Sequence, residues 1–180
     1  LPEGHQVAFS TRSGTLSVLR QPGRYQLDFP LQAERPAEPS PDLIQSFGIA
    51  PRYVGRNQAD YLVELENEQA LRALAPDFRQ LAAVDCRGVI ATAASDSPHF
   101  DFVSRFFAPA AGVDEDPVTG SAHCCLADYW SRRLDKKQLV GYQASARGGV
   151  VHVEVNGERV LLGGGGVIVA RGERLVGATG

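Results

Sequence analysis

The stretch Asp114-Glu115-Asp116-Pro117-Val118-Thr119-Gly120-Ser121-Ala122-His123-Cys124 joins acidic residues to a tight turn and then opens a helix. The proline restricts Asp116 to an extended conformation, because the residue before a proline is kept out of the helical region. Gly120 permits a backbone geometry that other residues resist. Thr119 or Ser121 can cap the helix that follows. The stretch therefore predicts a carboxylate held beside the start of a helix.

The first turn of such a helix is a candidate anion site. Its free N–H groups point outward at the positive end of the helix dipole, which suits a carboxylate or a phosphate. The alternative is an ordinary start to a helix, since Asp-Pro followed by Thr-Gly-Ser is also common there. The residue types alone leave both readings open.

The helix is predicted from Ser121 to about Leu134, and its first turns are apolar on nearly every side. A helix with this pattern must be buried. Cys124 or Cys125 near its start could serve as a nucleophile, although burial is the commoner fate of a cysteine. A metal site at His123 and these cysteines is disfavoured, because adjacent helical residues point in different directions.

Composition limits the classes of function. The chain has 180 residues, of which 43% are hydrophobic and 22% charged, within the range of one globular domain. The net charge of -3 gives no basic field, so neither nucleic acid nor a membrane is an expected partner. Three cysteines form no even disulfide framework, which favours a reducing, cytoplasmic compartment.

Strands dominate the rest of the chain. Periodicity and turn residues predict helices at 41–47 and 67–75, and strands at 5–11, 15–20, 24–29, 53–54, 61–64, 88–93, 100–107, 139–144, 149–155, 159–162 and 167–170. Asn156-Gly157 is a strong hairpin signal. The glycines at 163–166 lack the Lys and Ser/Thr of a phosphate-binding loop, so a bulge or a turn is favoured.

Residues 115–130, Glu-Asp-Pro-Val-Thr-Gly-Ser-Ala-His-Cys-Cys-Leu-Ala-Asp-Tyr-Trp, closely resemble the signature of the PhzF-like phenazine biosynthesis family, relatives of diaminopimelate epimerase. Residues 9–18, 25–30 and 104–109 extend the resemblance over nearly the whole chain.

The resemblance implies an α+β, diaminopimelate epimerase-like fold in which a curved mixed sheet wraps a central buried helix. Two pseudo-symmetric domains of this kind form the family's cleft. We expect residues 1–30 to be the end of an incomplete first domain, 31–41 a linker, and 42–180 the second domain, whose last strand can return to the first. The family's opening segment, with its catalytic glutamate, is expected before Leu1, and the absence of methionine favours a fragment.

The resemblance also implies a cofactor-independent isomerase or epimerase, with no metal, acting on a small carboxylate-bearing, amino-acid-like metabolite. The catalytic residues carried over are Asp116 and Ser121. Thr119, Gly120, Ser121 and Ala122 are predicted to bind substrate, with Arg105 as a further candidate.

Several of these residues have more than one role compatible with the sequence. Arg105 can instead pair with Asp116 or Glu115 and hold the loop. Glu115 is expected to be structural, and His123 to pack within the first helical turn. The missing segment and a second copy of the chain are the expected protein partners. A non-catalytic protein that binds an anion or another protein is the alternative function.

Overall fold

The computed structural model describes residues 2–11, 14–167, 169–170 and 172. Within these residues the chain forms four α-helices, namely α1 (Pro41–Phe47), α2 (Glu68–Ala73), α3 (Phe78–Leu81) and α4 (Gly120–Leu134), and a 3-10 turn at Pro109–Ala111. The strands are β1 (Gln6–Thr11), β2 (Gly14–Gln21), β3 (Arg24–Pro30), β4 (Arg35–Pro36), β5 (Tyr53–Arg56), β6 (Asp60–Glu64), β7 (Gly88–Ala94), β8 (Phe102–Phe107), β9 (Gln138–Gln143), β10 (Gly149–Asn156) and β11 (Arg159–Gly164).

The described strands form one sheet in the order β1-β2-β3-β11-β10-β9-β8-β7-β6-β5-β4. Neighbours are antiparallel except in two pairs, β6 with β7 and β8 with β9, which are parallel. Parallel neighbours require a crossover connection. The chain between β6 and β7 includes α2 and α3, and α4 lies between β8 and β9. The fold is therefore α+β, with a mixed sheet and few helices, as the resemblance to the diaminopimelate epimerase-like fold implies.

The central strands are buried on both faces. Their alternate side chains point to opposite sides of the sheet, and each side carries a hydrophobic core. Leu62, Ile90 and Phe102 belong to the core beneath α4. Their strand neighbours, such as Val89 and Val103, belong to a second core that includes residues of α1, α2 and α3. The sheet thus separates two hydrophobic layers.

Helix α4 is the buried helix that the sequence predicts, and it begins one residue earlier than expected. Eight of its side chains are buried, and Trp130 donates its indole N–H to the Thr92 hydroxyl at 3.0 Å. The Trp130 ring also stacks on Phe102, with centroids 5.9 Å apart. The helix ends at Leu134 and is followed by its C-cap residue Asp135, whose backbone is left-handed with φ of 51°. These contacts fix α4 against the sheet.

Most predicted elements lie within two residues of their observed bounds. The Asn156-Gly157 signal is confirmed, because Asn156 pairs with Arg159 in the β10–β11 hairpin and Gly157 has a positive φ of 59°. The prediction of a strand at 167–170 is wrong for Val167, Val169 and Ala170, which carry no strand, while residue 168 lies outside the described residues. Two of the four glycines at 163–166 extend β11 itself.

The sequence did not predict α3 or the two-residue strand β4, which lies in the expected linker. Strand β11 pairs with β3 from Arg159 opposite Pro30 to Gly164 opposite Tyr25. The domain boundaries stay a prediction, since the described strands share one continuous sheet.

Strands β1, β2 and β3 are much less buried than the central strands β6, β7 and β8. Every residue of β1 is exposed, and Val7 and Phe9 leave 38% and 52% of their surface accessible. Among the described residues, no helix has the length and apolar character needed to cross a membrane.

Candidate active site

The loop between β8 and α4 is attached to the end of β8. The Asp116 N–H donates to the Phe106 carbonyl oxygen at 3.0 Å. Asp116 itself is half-buried. The strand end therefore fixes the backbone that carries this carboxylate at the start of α4.

Thr119 links the carboxylate to the helix. It is the N-cap residue of α4, yet its side chain makes no capping bond to the helix, so the predicted side-chain cap is absent. The Thr119 hydroxyl instead donates to Asp116 Oδ2. No described residue accepts a hydrogen bond from the N–H groups of Gly120 and Ser121. The first turn of α4 thus keeps donors that could bind an anion.

The side chain of Gln143 lies beneath this turn and is completely buried. Its oxygen accepts from the Thr119 N–H at 2.8 Å, and its amide nitrogen donates to the Asp116 carbonyl oxygen at 2.7 Å. From the sequence, Gln143 is predicted only as part of the strand at 139–144. Its role depends on which strands are neighbours, and local sequence carries no signal for that.

Arg87 places a positive charge beside Ser121. One terminal nitrogen of its guanidinium donates to Ser121 Oγ at 3.0 Å. The same guanidinium is paired with Asp60, which is fully buried, and its Nε lies 2.8 Å from Asp60 Oδ1. The hydrogen bond that Arg87 donates to Asp60 raises the pKa of Arg87. This cation was missed because 34 residues separate it from Ser121.

Arg105 and Glu115 form a bidentate ion pair. Arg105 Nε lies 2.7 Å from Glu115 Oε1, and a terminal nitrogen lies 3.0 Å from Oε2. Another terminal nitrogen donates to the carbonyl oxygens of Leu71 and Leu74 at 3.2 and 2.5 Å. This is the loop-holding arrangement given above as an alternative for Arg105. Its predicted contact with substrate stays a prediction.

The remaining candidates near the start of α4 are buried. His123 is fully buried and its Nδ1 lies 2.8 Å from the Thr119 carbonyl oxygen, so it packs within the first turn. Burial lowers the pKa of His123 to about 4. Burial also raises the pKa values of Cys124 and Cys125 to about 12, which keeps both as thiols. Ala122 is 1% exposed and its methyl group faces the core.

A cleft of about 740 Å³ opens at the start of α4. Its lining includes Val118 and Gly120, the end of β11 and the exposed residue Arg147. A second cleft of about 430 Å³ is lined by residues of β3, β9, β10 and β11 and does not include the loop residues. The first cleft reaches the helix start through Gly120, whereas Asp116, Thr119 and Ser121 are not among the residues that line it.

Comparison with known proteins adds a family relationship. The sequence profile of the family described as phenazine biosynthesis-like protein matches residues 2–172. An uncharacterized isomerase of Halalkalibacterium halodurans is 46% identical over 171 residues, covering 94% of this chain and 64% of the relative. An uncharacterized isomerase of Pseudomonas aeruginosa is 49% identical over 169 residues, again covering 94% and 64%. The chain therefore spans about 64% of the length of these relatives.

Solved structures of other proteins have the same fold as this chain. A phenazine biosynthesis protein of the PhzF family from Enterococcus faecalis superposes with a TM-score of 0.86 at 37% identity, over 98% of this chain and 66% of that one. A predicted epimerase from Pseudomonas aeruginosa has the same fold, with a TM-score of 0.67 at 18% identity over 96% of this chain and 68% of that one.

Proposed function

Because the chain belongs to the phenazine biosynthesis-like protein family, whose members include proteins named isomerases, we propose that it moves a proton beside a carboxylate without a cofactor. The substrate would be a small, amino-acid-like metabolite. A carbon next to a carboxylate is a very weak acid. Catalysis therefore needs fixed donors for the developing negative charge, and a base and an acid within hydrogen-bond reach of the carbon.

The observation that carries the proposal is the pairing of the Asp116 carboxylate with an uncapped helix start. The hydroxyl that would ordinarily cap α4 is bonded to Asp116. One turn therefore offers a carboxylate held in place and backbone donors for an anion. In our proposal, the substrate carboxylate binds the Gly120 and Ser121 N–H groups, and Asp116 orients the substrate or transfers its proton.

Ser121 is suited to donate a hydrogen bond as well. Its oxygen accepts from Arg87, which leaves the hydroxyl proton available for another acceptor. Arg87 also brings positive charge that favours a bound carboxylate. Thr119 orients Asp116 in this scheme. Ala122 would contribute through the backbone of the first turn, since its side chain is buried.

A second acid or base has to come from elsewhere, and we infer that it lies in a segment corresponding to the remaining length of the relatives. Resemblance to the family implies a glutamate. The exposed apolar residues of β1, Val7 and Phe9, offer that segment a surface on which to pack. The free cysteines fit a cytoplasmic location, and a homodimer is a further arrangement that we propose.

The test measures exchange of the substrate α-hydrogen for solvent deuterium. NMR monitors this exchange for the full-length gene product with a panel of small amino and hydroxy acids. Asp116→Asn should lower the exchange rate by about 10²-fold or more, the usual contribution of a positioned acid or base. Asp114→Asn is the matched control, because Asp114 is an exposed acid of the same loop.

Ser121→Ala tests anion binding separately. Loss of a hydrogen bond to a charged group should weaken carboxylate binding by about 10-fold or more in calorimetry. Ser131→Ala, farther along α4, is the control. Normal affinity and turnover in the Ser121 variant would refute its assignment.

A non-catalytic binding protein is the alternative function, and the uncapped helix start supports it equally. It predicts that an acid binds in calorimetry while no α-hydrogen exchanges across the panel.

A further inference from the structure

We propose that Gln143 is the positioning residue that sets the orientation of Asp116 in the proposed reaction. This inference rests on the proposed function, in which Asp116 acts on the substrate. It adds a residue that lies outside the signature stretch and contacts no substrate itself.

Gln143 binds both ends of the turn with one side chain. It accepts from the Thr119 N–H at 2.8 Å and donates to the Asp116 carbonyl oxygen at 2.7 Å. The same amide nitrogen lies 3.3 Å from Thr119 Oγ1. A buried amide with its oxygen and nitrogen both bonded fixes the groups it touches, because any rearrangement would leave a buried polar atom unpaired.

The sheet explains why this glutamine is at the right place. Strands β8 and β9 are parallel, so their carboxyl ends lie at the same edge, and α4 begins there. Ser104 pairs with Gln143 in the last register position, and the Ala144 N–H donates to the Ser104 carbonyl oxygen at 2.7 Å. Gln143 is thus the final residue of β9 and lies on a rigid element beneath the turn.

The bond to Thr119 connects Gln143 with the carboxylate. When the Thr119 oxygen accepts from the Gln143 amide, its own proton is left for Asp116 Oδ2, to which it donates. Gln143 therefore acts on the Asp116 backbone directly and on its carboxylate through the Thr119 hydroxyl. Loss of Gln143 would leave the carboxylate present but free to turn.

Gln143→Leu tests the inference in the full-length gene product. We expect kcat for α-hydrogen exchange to fall 10- to 100-fold while KM changes less than threefold, because the anion-binding donors of the first helical turn remain. The matched control is Gln138→Leu, at the exposed start of the same strand. An unchanged kcat, or a loss that equals the unfolded fraction measured by circular dichroism, would overturn the inference.

A double-variant cycle separates positioning from general support of the fold. If Gln143 acts through Thr119, Gln143→Leu combined with Thr119→Val should cost much less than the product of the two single losses. Independent, multiplicative losses would refute this route. Should Gln143→Leu fail to fold, Gln143→Glu has nearly the same shape, keeps an acceptor for the Thr119 N–H, and is measured in the same way.

A readout without turnover keeps this inference distinct from the proposed function. Amide hydrogen exchange at Thr119 should accelerate at least 10-fold in Gln143→Leu and remain unchanged in the control. Unchanged protection at Thr119 would overturn the positioning role even in an active enzyme. Absence of α-hydrogen exchange in the wild type would refute the proposed function whatever the amide shows.

Discussion

Replacing Arg105 by methionine should destabilise the protein and should affect catalysis only through the loop. The Arg105 and Glu115 side chains are 12% and 21% exposed, so the pair is largely shielded from water. Removing one partner of a buried ion pair costs about 3–5 kcal/mol, and the remaining exposure reduces this to about 2–4 kcal/mol. Loss of the bonds to the Leu71 and Leu74 carbonyl oxygens acts in the same direction.

Urea unfolding at pH 7 measures the change in the free energy of unfolding. In a thermal scan, about 2–4 kcal/mol corresponds to a fall in Tm of roughly 4–16 °C for a chain of this size. Arg79→Met is the control, because Arg79 is exposed on α3, and it should stay within about 0.5 kcal/mol of the wild type.

The double variant Arg105→Met with Glu115→Gln decides between the two roles of Arg105. If the ion pair is what matters, neutralising the orphaned carboxylate should restore at least about 1 kcal/mol of the lost stability, since an unpaired buried charge is the costly species. KM should then return toward the wild-type value. A double variant that recovers stability but keeps a KM raised 10-fold or more would refute the loop-holding role and show that Arg105 binds substrate.

Three other outcomes follow from the core. Gly141→Ala should lower the free energy of unfolding in urea by about 1–3 kcal/mol, because its Cβ would lie 2.5 Å from a buried phenylalanine ring. Gly164→Ala should be tolerated, since the nearest atom to its Cβ would be 3.8 Å away. Equal losses of stability in the two variants would contradict this prediction. His123 is neutral when folded, with a pKa of about 4 against an ordinary value of 6.5, so its contribution to stability is present above pH 6.5 and declines toward pH 4. His123→Leu should reduce the slope of this decline by up to about 1.4 kcal/mol per pH unit. Parallel plots of unfolding free energy against pH for the variant and the wild type would contradict this prediction. Cys124 and Cys125 should react with iodoacetamide only after denaturation, as native labelling at pH 8 would be incompatible with pKa values near 12 and full burial.

The sequence predicted the helices and strands whose hydrophobic residues recur with a clear helical or strand period. Helix α4 is apolar almost all round, and the central strands alternate between two buried layers, so both were visible from periodicity. Helix α3 was missed because four residues are too short for a helical period to appear. Strand β4 was read as linker because prolines surround it. Residues 167–170 are rich in valine and isoleucine, but Val167 and Val169 are 87% and 91% exposed.

The site was predicted only where its residues are consecutive. Asp116, Thr119 and Ser121 lie in one turn, and their proximity is a property of the local chain. Gln143 and Arg87 reach that turn because β9 lies beside β8 and β7 begins at the same edge, and those neighbours are set by the whole sheet. Long-range register, which periodicity does not encode, therefore decides which groups support the loop.

The pairing of β3 with β11 has a consequence for the order of events during synthesis. The first three strands join the rest of the sheet through a strand that begins only at Arg159. At about 5–20 residues per second, β3 emerges from the ribosome roughly 6 to 26 s before its partner. Throughout that interval β3 presents an unpaired edge, which is where chains aggregate. The nascent chain should therefore depend on chaperones until the β10–β11 hairpin appears, and β11 should be the strand whose arrival joins the first three strands to the rest of the sheet.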